Sequence, residues 1–378
     1  MDLFLHLDCR YYKGDKPCIY QTLCQGCPHY DPMGKRILII KLAATGDVIR
    51  TTPILRALKS GRSSHITWVT DSAAYQLLRS NDKIDRLLDI DDRDCIPGLL
   101  CEKFDLLVCL DKEPRATGLA ERITAEQKAG FGLSSYGTLR PLSASTEYSF
   151  QMGIDNDLKF KVNQKSYPEL LFDILDIPYK NEEYYLPLPS SVKAKSHELM
   201  DQWGLDDKQF IIGLNTGSGK RFATKRWPLD YYVTLATLLS RQYGDSLRLL
   251  LLGGPEEESI NNQITSQLAE MNIAVINTGC QNSLLDFCSI IEICQMLVSS
   301  DTLAMHLAIA LKKKIIVLIG STCHQELELY GRGIKLTVSP EEFPCAPCYR
   351  GQCLQETFCM TTLTPASVLE QINFVMNS

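Results

Sequence analysis

The segment RILIIKLAATGDVIRTTPILRALK, residues 36–59, holds the first group able to do chemistry, Asp47. Ile37 to Leu42 is too continuously apolar for a strand with one wet face and suits a parallel strand buried on both sides. Ala43, Ala44, Thr45 and Gly46 then form a small-residue turn, followed by helical apolar spacing. Open α/β sheets bind ligands where such a strand ends. A carboxylate at that place is a candidate general base. It could equally do no more than cap the helix that follows. On this segment alone both readings stand.

Three further loops carry phosphate- or sugar-binding chemistry. In NTGSGKRFATKRWP (215–228), Thr216, Gly217, Ser218 and Gly219 offer amides and hydroxyls to phosphate oxygens, with Lys220 or Lys225 supplying charge. The loop is not a Walker A sequence. Leu214 stands where the first glycine belongs, and Arg221 where a magnesium-binding Ser or Thr belongs, which disfavours a nucleoside-triphosphate hydrolase. In LGGPEEE (252–258), two glycines admit a close neighbour and Glu256 or Glu257 could accept from sugar hydroxyls. Acids at a helix start are also favoured without any ligand. In VSSDTLAMHLAIAL (298–311), Asp301 and Thr302 fall between a strand and a helix, with His306 one turn on and on the same face. A lone histidine on an apolar helix is commonly a satisfied core residue; here it follows a polar helix start.

Cysteines form two clusters. Cys9, Cys18, Cys24 and Cys27 lie near His29, and Cys345, Cys348, Cys353 and Cys359 follow the spacing C-x2-C-x4-C-x5-C. Four thiols that include a CxxC pair suit a tetrahedral structural zinc or iron site, with an iron–sulfur cluster as a lesser alternative. The competing reading is eight free thiols, because neither spacing matches a standard finger. Cys95, Cys101, Cys109, Cys280, Cys288, Cys294 and Cys323 are scattered and read as core or incidental residues.

These residues need elements to position them. From residue 36 strand and helix patterns alternate, which predicts α/β domains with parallel sheets. Strands are expected at 37–42, 66–70, 87–90 and 104–110, then at 210–216, 247–254, 273–279, 296–301 and 314–322, with helices over 73–80 and 231–244. The run LPLPSSVK (186–193) marks a boundary. The expected organisation is a Cys-rich arm (1–35), a first Rossmann-like domain (36–188), a second Rossmann-like domain (189–343) and a Cys-rich segment with a terminal helix (344–378). A length of 378 residues fits two such domains. A net charge of −6 and a pI near 5.6 argue against nucleic-acid or anionic-membrane binding. No apolar run is long enough for a transmembrane segment, and MDLFLHLDCR does not read as a signal peptide, so the expected location is cytoplasmic. There, an odd count of fifteen cysteines speaks against a disulfide framework.

KLAATGDVIRTTPILRALK, the KRWP near 225, GGPEE and DTLAMHLAIALKKKIIVLIGST occur in the order seen in heptosyltransferases of glycosyltransferase family nine, and the chain resembles that family from residue 36 onward. The resemblance implies a GT-B architecture of two Rossmann-like domains facing a cleft, with the last helix commonly packed back on the first. It also implies inverting transfer of heptose from ADP-heptose without a catalytic metal. Asp47 becomes the base and Lys225 the group that neutralises the departing diphosphate; Thr216, Gly217 and Ser218 become the phosphate loop. Glu256 becomes an acid facing the donor, with Asp301, Thr302 and His306 at the donor-binding strand end. A Cys-rich metal finger is a feature of some protein-modifying members. The chain departs from the family at Leu303, where a glycine is common, and in a longer span between Thr216 and Lys225, which leaves open whether Lys220 or Lys225 reaches the diphosphate. The acceptor hydroxyl could belong to a lipopolysaccharide core, a protein or a small molecule. A GT-B nucleotide-sugar epimerase, which needs no acceptor, and a non-catalytic metal-binding protein that kept the fold are the alternatives.

Overall fold

Strand β1 (Lys35–Ile40) is buried on both faces over Ile37–Ile40, as its unbroken apolar run requires. It forms a sheet with β2 (Ser64–Thr70), β3 (Arg86–Asp89), β4 (Lys103–Cys109), β5 (Thr124–Leu133) and β6 (Leu139–Pro141) in the order β3-β2-β1-β4-β5-β6. Every pairing is parallel except β5 with β6. Ile39 stands level with Trp68 on one side and Val108 on the other, at the centre of the sheet. The computed structural model describes residues 4–59, 63–206, 208–219 and 222–377. Contacts divide the chain into two compact units: Met1–Ala43, Pro53–Ile154 and Leu171–Glu182 form the first, and Ala44–Thr52, Asp155–Leu170 and Glu183–Ser378 the second.

In the first unit, a doubly wound order reverses between β1 and β4, the usual place for a ligand crevice. Here a buried ion pair between Lys41 and Asp111 fills that place. Asp111 also accepts the Leu42 and Ala43 amides, and Lys41 gives a further bond to the Ala43 carbonyl. Each buried charge is thus paired and hydrogen-bonded, the condition under which burial is tolerated. The Cys-rich arm belongs to this unit. Arg10 ties it to the sheet through Asp85 and the Ser64 carbonyl, and a bridge joins Cys9 to Pro32.

The second unit has its own sheet, built from β7 (Phe210–Asn215), β8 (Leu247–Leu252), β9 (Ile276–Asn277), β10 (Met296–Ser300), β11 (Lys314–Ile319) and β12 (Gly333–Thr337). Its order is β12-β11-β10-β7-β8-β9, parallel throughout, with the reversal between β7 and β10. Helices Leu229–Tyr243 and Pro365–Asn377 cover one face, and Val368, Ile372 and Val375 join the same core as Leu235, Leu249 and Val298. The terminal helix therefore packs within the second unit, against the helix Leu229–Tyr243 and strands β11 and β12. The Trp227 indole N–H, donating to the Leu363 carbonyl at 2.7 Å, fixes the chain that leads into it. Among the described residues no helix is long and apolar enough to cross a membrane.

Candidate active site

A cavity of about 820 Å³ opens within the second unit, over the carboxyl ends of β11, β10, β7, β8 and β9. It includes the topological reversal, where parallel α/β sheets receive ligands. The Asn215 amide, at the end of β7, donates to Ser299 Oγ at 3.1 Å and Thr302 Oγ1 at 3.3 Å, stitching that end to β10. Tyr232 donates to the Asn215 carbonyl at 2.9 Å from the covering helix. The strand ends are thus held before any ligand arrives.

Lys225 and Asp301 meet at this junction. Lys225 Nζ donates to the Asp301 carbonyl at 2.9 Å and to its Oδ2 at 3.0 Å, and Ser300 Oγ donates to the Lys225 carbonyl at 2.6 Å. Burial works against the Asp301 charge, but Lys225, with His306 and Arg50 behind it, holds the carboxyl below its usual range. An ammonium has three donors, so one N–H of Lys225 is left for a further oxygen.

Asp47 reaches the same cavity on the helix Thr45–Thr51. The N-cap of that helix is Ala44, so Asp47 lies inside the first turn and is not the cap. Arg50, one turn on, pairs with it at 2.8 Å and lies 3.7 Å over the Tyr167 ring. This helix packs against the helix Leu303–Ala310, and Gly46 is the contact point: a Cβ there would lie 2.7 Å from His306 Cδ2. The glycine of the sequence motif therefore makes room for the histidine of another motif. His306 is buried, shares a 3.4 Å hydrogen bond with the Tyr184 hydroxyl through Nδ1, and has Nε2 3.9 Å from Asp301 Oδ1. Burial, and then the Arg50 charge, push its imidazole down to about 4 against the pull of Asp301 and Asp47. At neutral pH it is uncharged and serves as a hydrogen-bonding group, not as a cation.

The loop after β7 separates into facing and structural residues. Gly217, Ser218 and Gly219 line the cavity, and Ser218 Oγ is buried with no hydrogen-bond partner among the described residues. Thr216 does not line it: its hydroxyl turns into the fold, donating to Asn261 Oδ1 at 2.6 Å and the Leu252 carbonyl at 3.0 Å. Lys220 lies outside the described residues. Glu256, expected to face the donor, is not among the residues that line the cavity: it is exposed and borders an outer depression with Ser259 and Asn262. The buried acid is its neighbour Glu257, which accepts from the Gly254 amide at 3.2 Å and the Ser218 amide at 3.4 Å and faces Arg226 at 3.4 Å. Glu257 thus braces the loop after β7 against the turn after β8. Its position three residues after a turn glycine is the sequence sign of an N-terminal box. Thr302 lines the cavity as the N-cap of the helix Leu303–Ala310.

Other lining residues had little sequence signal. Cys280 and Cys323, read as core or incidental, both border the cavity, as do Glu326 and Tyr349. All fifteen cysteines carry free thiols. Among the described residues no three His, Cys, Asp or Glu side chains are placed to hold a metal ion. In the arm, the backbone N–H groups of Tyr20, Thr22 and Gln21 pull the half-buried Cys18 thiol below its usual range. In the C-terminal segment, burial and then the charges of Cys348, Cys353 and Cys345 push the Cys359 thiol up to about 11. These three cysteines thus lie near the fourth.

Known proteins match this arrangement. The sequence pattern described as glycosyltransferase family 9 (heptosyltransferase) matches residues 97–358. Lipooligosaccharide heptosyltransferase 2 of Campylobacter jejuni subsp. jejuni serotype O:2 is 30% identical over 172 residues, 44% of this chain and 52% of that protein, so the chain spans about half the length of that relative. A glycosyl transferase family 9 structure from Veillonella parvula DSM 2008 superposes with a TM-score of 0.70 at 20% identity, covering 91% of this chain and 98% of the other. The E. coli ADP-heptose lps heptosyltransferase II superposes with a TM-score of 0.63 at 17% identity, covering 90% and 98%. The fold, two parallel α/β sheets, is that of the GT-B enzymes. With more than half of its length matched by the family pattern, the chain belongs to glycosyltransferase family 9.

Proposed function

We propose that this protein is an inverting heptosyltransferase that moves heptose from ADP-heptose to an acceptor hydroxyl, with lipopolysaccharide core as the favoured acceptor. One observation carries the reading: Asp47 and Lys225 line the same cavity as Gly217, Ser218 and Gly219. A nucleotide sugar needs a cradle for its diphosphate, a cation at the leaving oxygens and a base beyond the anomeric carbon.

In this reading Asp47 accepts the acceptor's hydroxyl proton as that oxygen attacks the anomeric carbon. The bond from the anomeric carbon to the phosphate oxygen breaks on the opposite face, with inversion, and the electron pair leaves with the nucleoside diphosphate. Lys225, through its remaining N–H, and the loop amides hold the departing charge. Arg50 keeps Asp47 oriented, and uncharged His306 offers a hydrogen bond near Asp301. The similar E. coli enzyme is an ADP-heptose lps heptosyltransferase, which supports that donor here.

Calorimetry with a set of nucleotide sugars tests the donor. ADP-heptose should bind; tight binding of UDP- or GDP-sugars alone would overturn the heptose assignment. Asp47→Asn tests the base. Transfer should fall about 10²- to 10⁴-fold while donor affinity stays near wild type, and unchanged transfer would end Asp47's role. Metal analysis of the purified protein decides whether either cysteine cluster takes zinc or iron.

A further inference from the structure

The C-terminal cysteine segment has no part in the reaction as drawn above, yet it supplies a wall of the cavity. Tyr349, in that segment, lines the cavity beside Cys323 and Glu326. It is fixed from several sides. Its amide donates to the Ser321 carbonyl at 2.9 Å, its hydroxyl accepts the Cys323 amide at 3.0 Å, and its ring stacks on Phe160 at 5.7 Å with Lys159 Nζ 4.4 Å over it. Arg350, the next residue, accepts from Thr224, which precedes Lys225. At the end of the segment, Met360 and Cys359 press on the chain leaving β11: a Cβ at Gly320 would lie 2.6 Å from Met360 Sδ and 3.0 Å from Cys359 Sγ. Tyr349 itself has φ 49°, a left-handed conformation that an aromatic side chain rarely adopts and that surrounding contacts must impose.

Strand order gives the cavity a direction. Running β9-β8-β7-β10-β11, Cys280, Asn282 and Gly254 lie at one flank, Lys225 and Asp301 at the centre, and Cys323 with Tyr349 at the other. With the diphosphate at the centre, the base falls toward β8 and β9, where Leu284 and Phe287 offer apolar surface. The sugar then falls toward β10 and β11. Asp47 is at this side as well, because its helix packs on the helix that follows β10.

We propose that Tyr349 is a sugar-binding residue of the donor site, its ring forming the wall at the sugar end and its hydroxyl donating to a sugar oxygen. Among the described residues the phenol accepts one hydrogen bond and has its own proton unspent. The inference rests on the nucleotide-sugar reading and deepens it: the cysteine segment frames a substrate-contacting loop.

The test compares binding of ADP-heptose and of ADP to the full-length protein, Tyr349→Phe and Tyr349→Ala. Phe keeps the ring and should weaken the nucleotide sugar about three- to tenfold, the worth of one hydrogen bond, with ADP unchanged. Ala should weaken the nucleotide sugar further and still leave ADP within about twofold. Equal losses for both ligands would make Tyr349 a structural support only, and no loss for either would remove it from the site; both overturn the inference. If wild-type protein bound ADP but no nucleotide sugar, the donor reading would fail first, and this inference with it.

Discussion

Gly46→Ala tests whether the family's glycine is required for space or for backbone freedom. Gly46 lies in the helix Thr45–Thr51, and its backbone is not in the left-handed region that favours glycine. On helix propensity alone, alanine would stabilise by roughly 0.5–1 kcal/mol. The added Cβ, however, would lie 2.7 Å from Cδ2 of His306, closer than real methyl contacts come. His306 is 5% exposed and tied to Tyr184, so it has little room to yield. Overpacking of this kind costs about 1–3 kcal/mol. The net is a loss of up to about 2.5 kcal/mol, or roughly 2–4 °C in Tm per kcal/mol for a unit of this size. Gly98→Ala is the matched control, because Gly98 is also helical and a Cβ there meets nothing within 4 Å. It should be neutral or gain up to about 1 kcal/mol. Thermal and urea unfolding of both variants, each against wild type, give the answer. A Gly46→Ala protein as stable as wild type or more so would refute the packing argument.

Two further predictions separate neighbouring residues and protonation states. Glu257→Gln should loosen the phosphate loop and weaken ADP binding, with about 1–3 kcal/mol lost because one carboxylate acceptor becomes a donor facing backbone N–H groups; Glu256→Ala, on the exposed surface, should change stability by no more than about 0.5 kcal/mol, and equal effects in binding titrations of the two variants would sink the distinction. His306 has its folded value near 4, below its ordinary 6.5, so as pH falls the unfolded chain takes up the proton first. Stability from this residue is full above about 6.5 and drains between about 6.5 and 4, by about 2 kcal/mol between pH 7 and pH 5. His306→Gln should lack that loss in urea unfolding at the two pH values, and a variant as acid-sensitive as wild type would refute it.

Much of the fold was legible because its signals are local. Continuous apolar runs marked β1, β8 and β11 to within a few residues, since a strand buried on both faces has no polar positions to hide it. Strands β5, β6 and β12 carried no such mark. β5 begins with the polar run Thr124–Lys128 and contains two glycines, and β6 and β12 lie at sheet edges, where one side is wet. The residue types of the active site were likewise visible in short motifs: a glycine–aspartate turn, a lysine before Trp-Pro, an aspartate–threonine strand end.

Which of those residues face the ligand was a matter of three dimensions. Thr216 and Ser218 are two residues apart in one loop, yet only the second lines the cavity, while the hydroxyl of the first is spent inside the fold. Glu256 and Glu257 are adjacent, yet one is exposed and the other buried beneath the loop, because a tight helical turn points successive side chains in different directions. Gly46 and His306 are far apart in sequence, and only the packing of two helices shows why the first must lack a side chain. Tyr349 had no signal at all, since its place depends on contacts with Ser321, Cys323 and Phe160 that no spacing encodes. The sequence alone determined the α/β class, the family resemblance and the chemistry on offer, because burial periodicity and motif composition are written locally. The tertiary structure decided which donors and carboxylates share one cavity, because that depends on strand order and on how each side chain spends its hydrogen bonds.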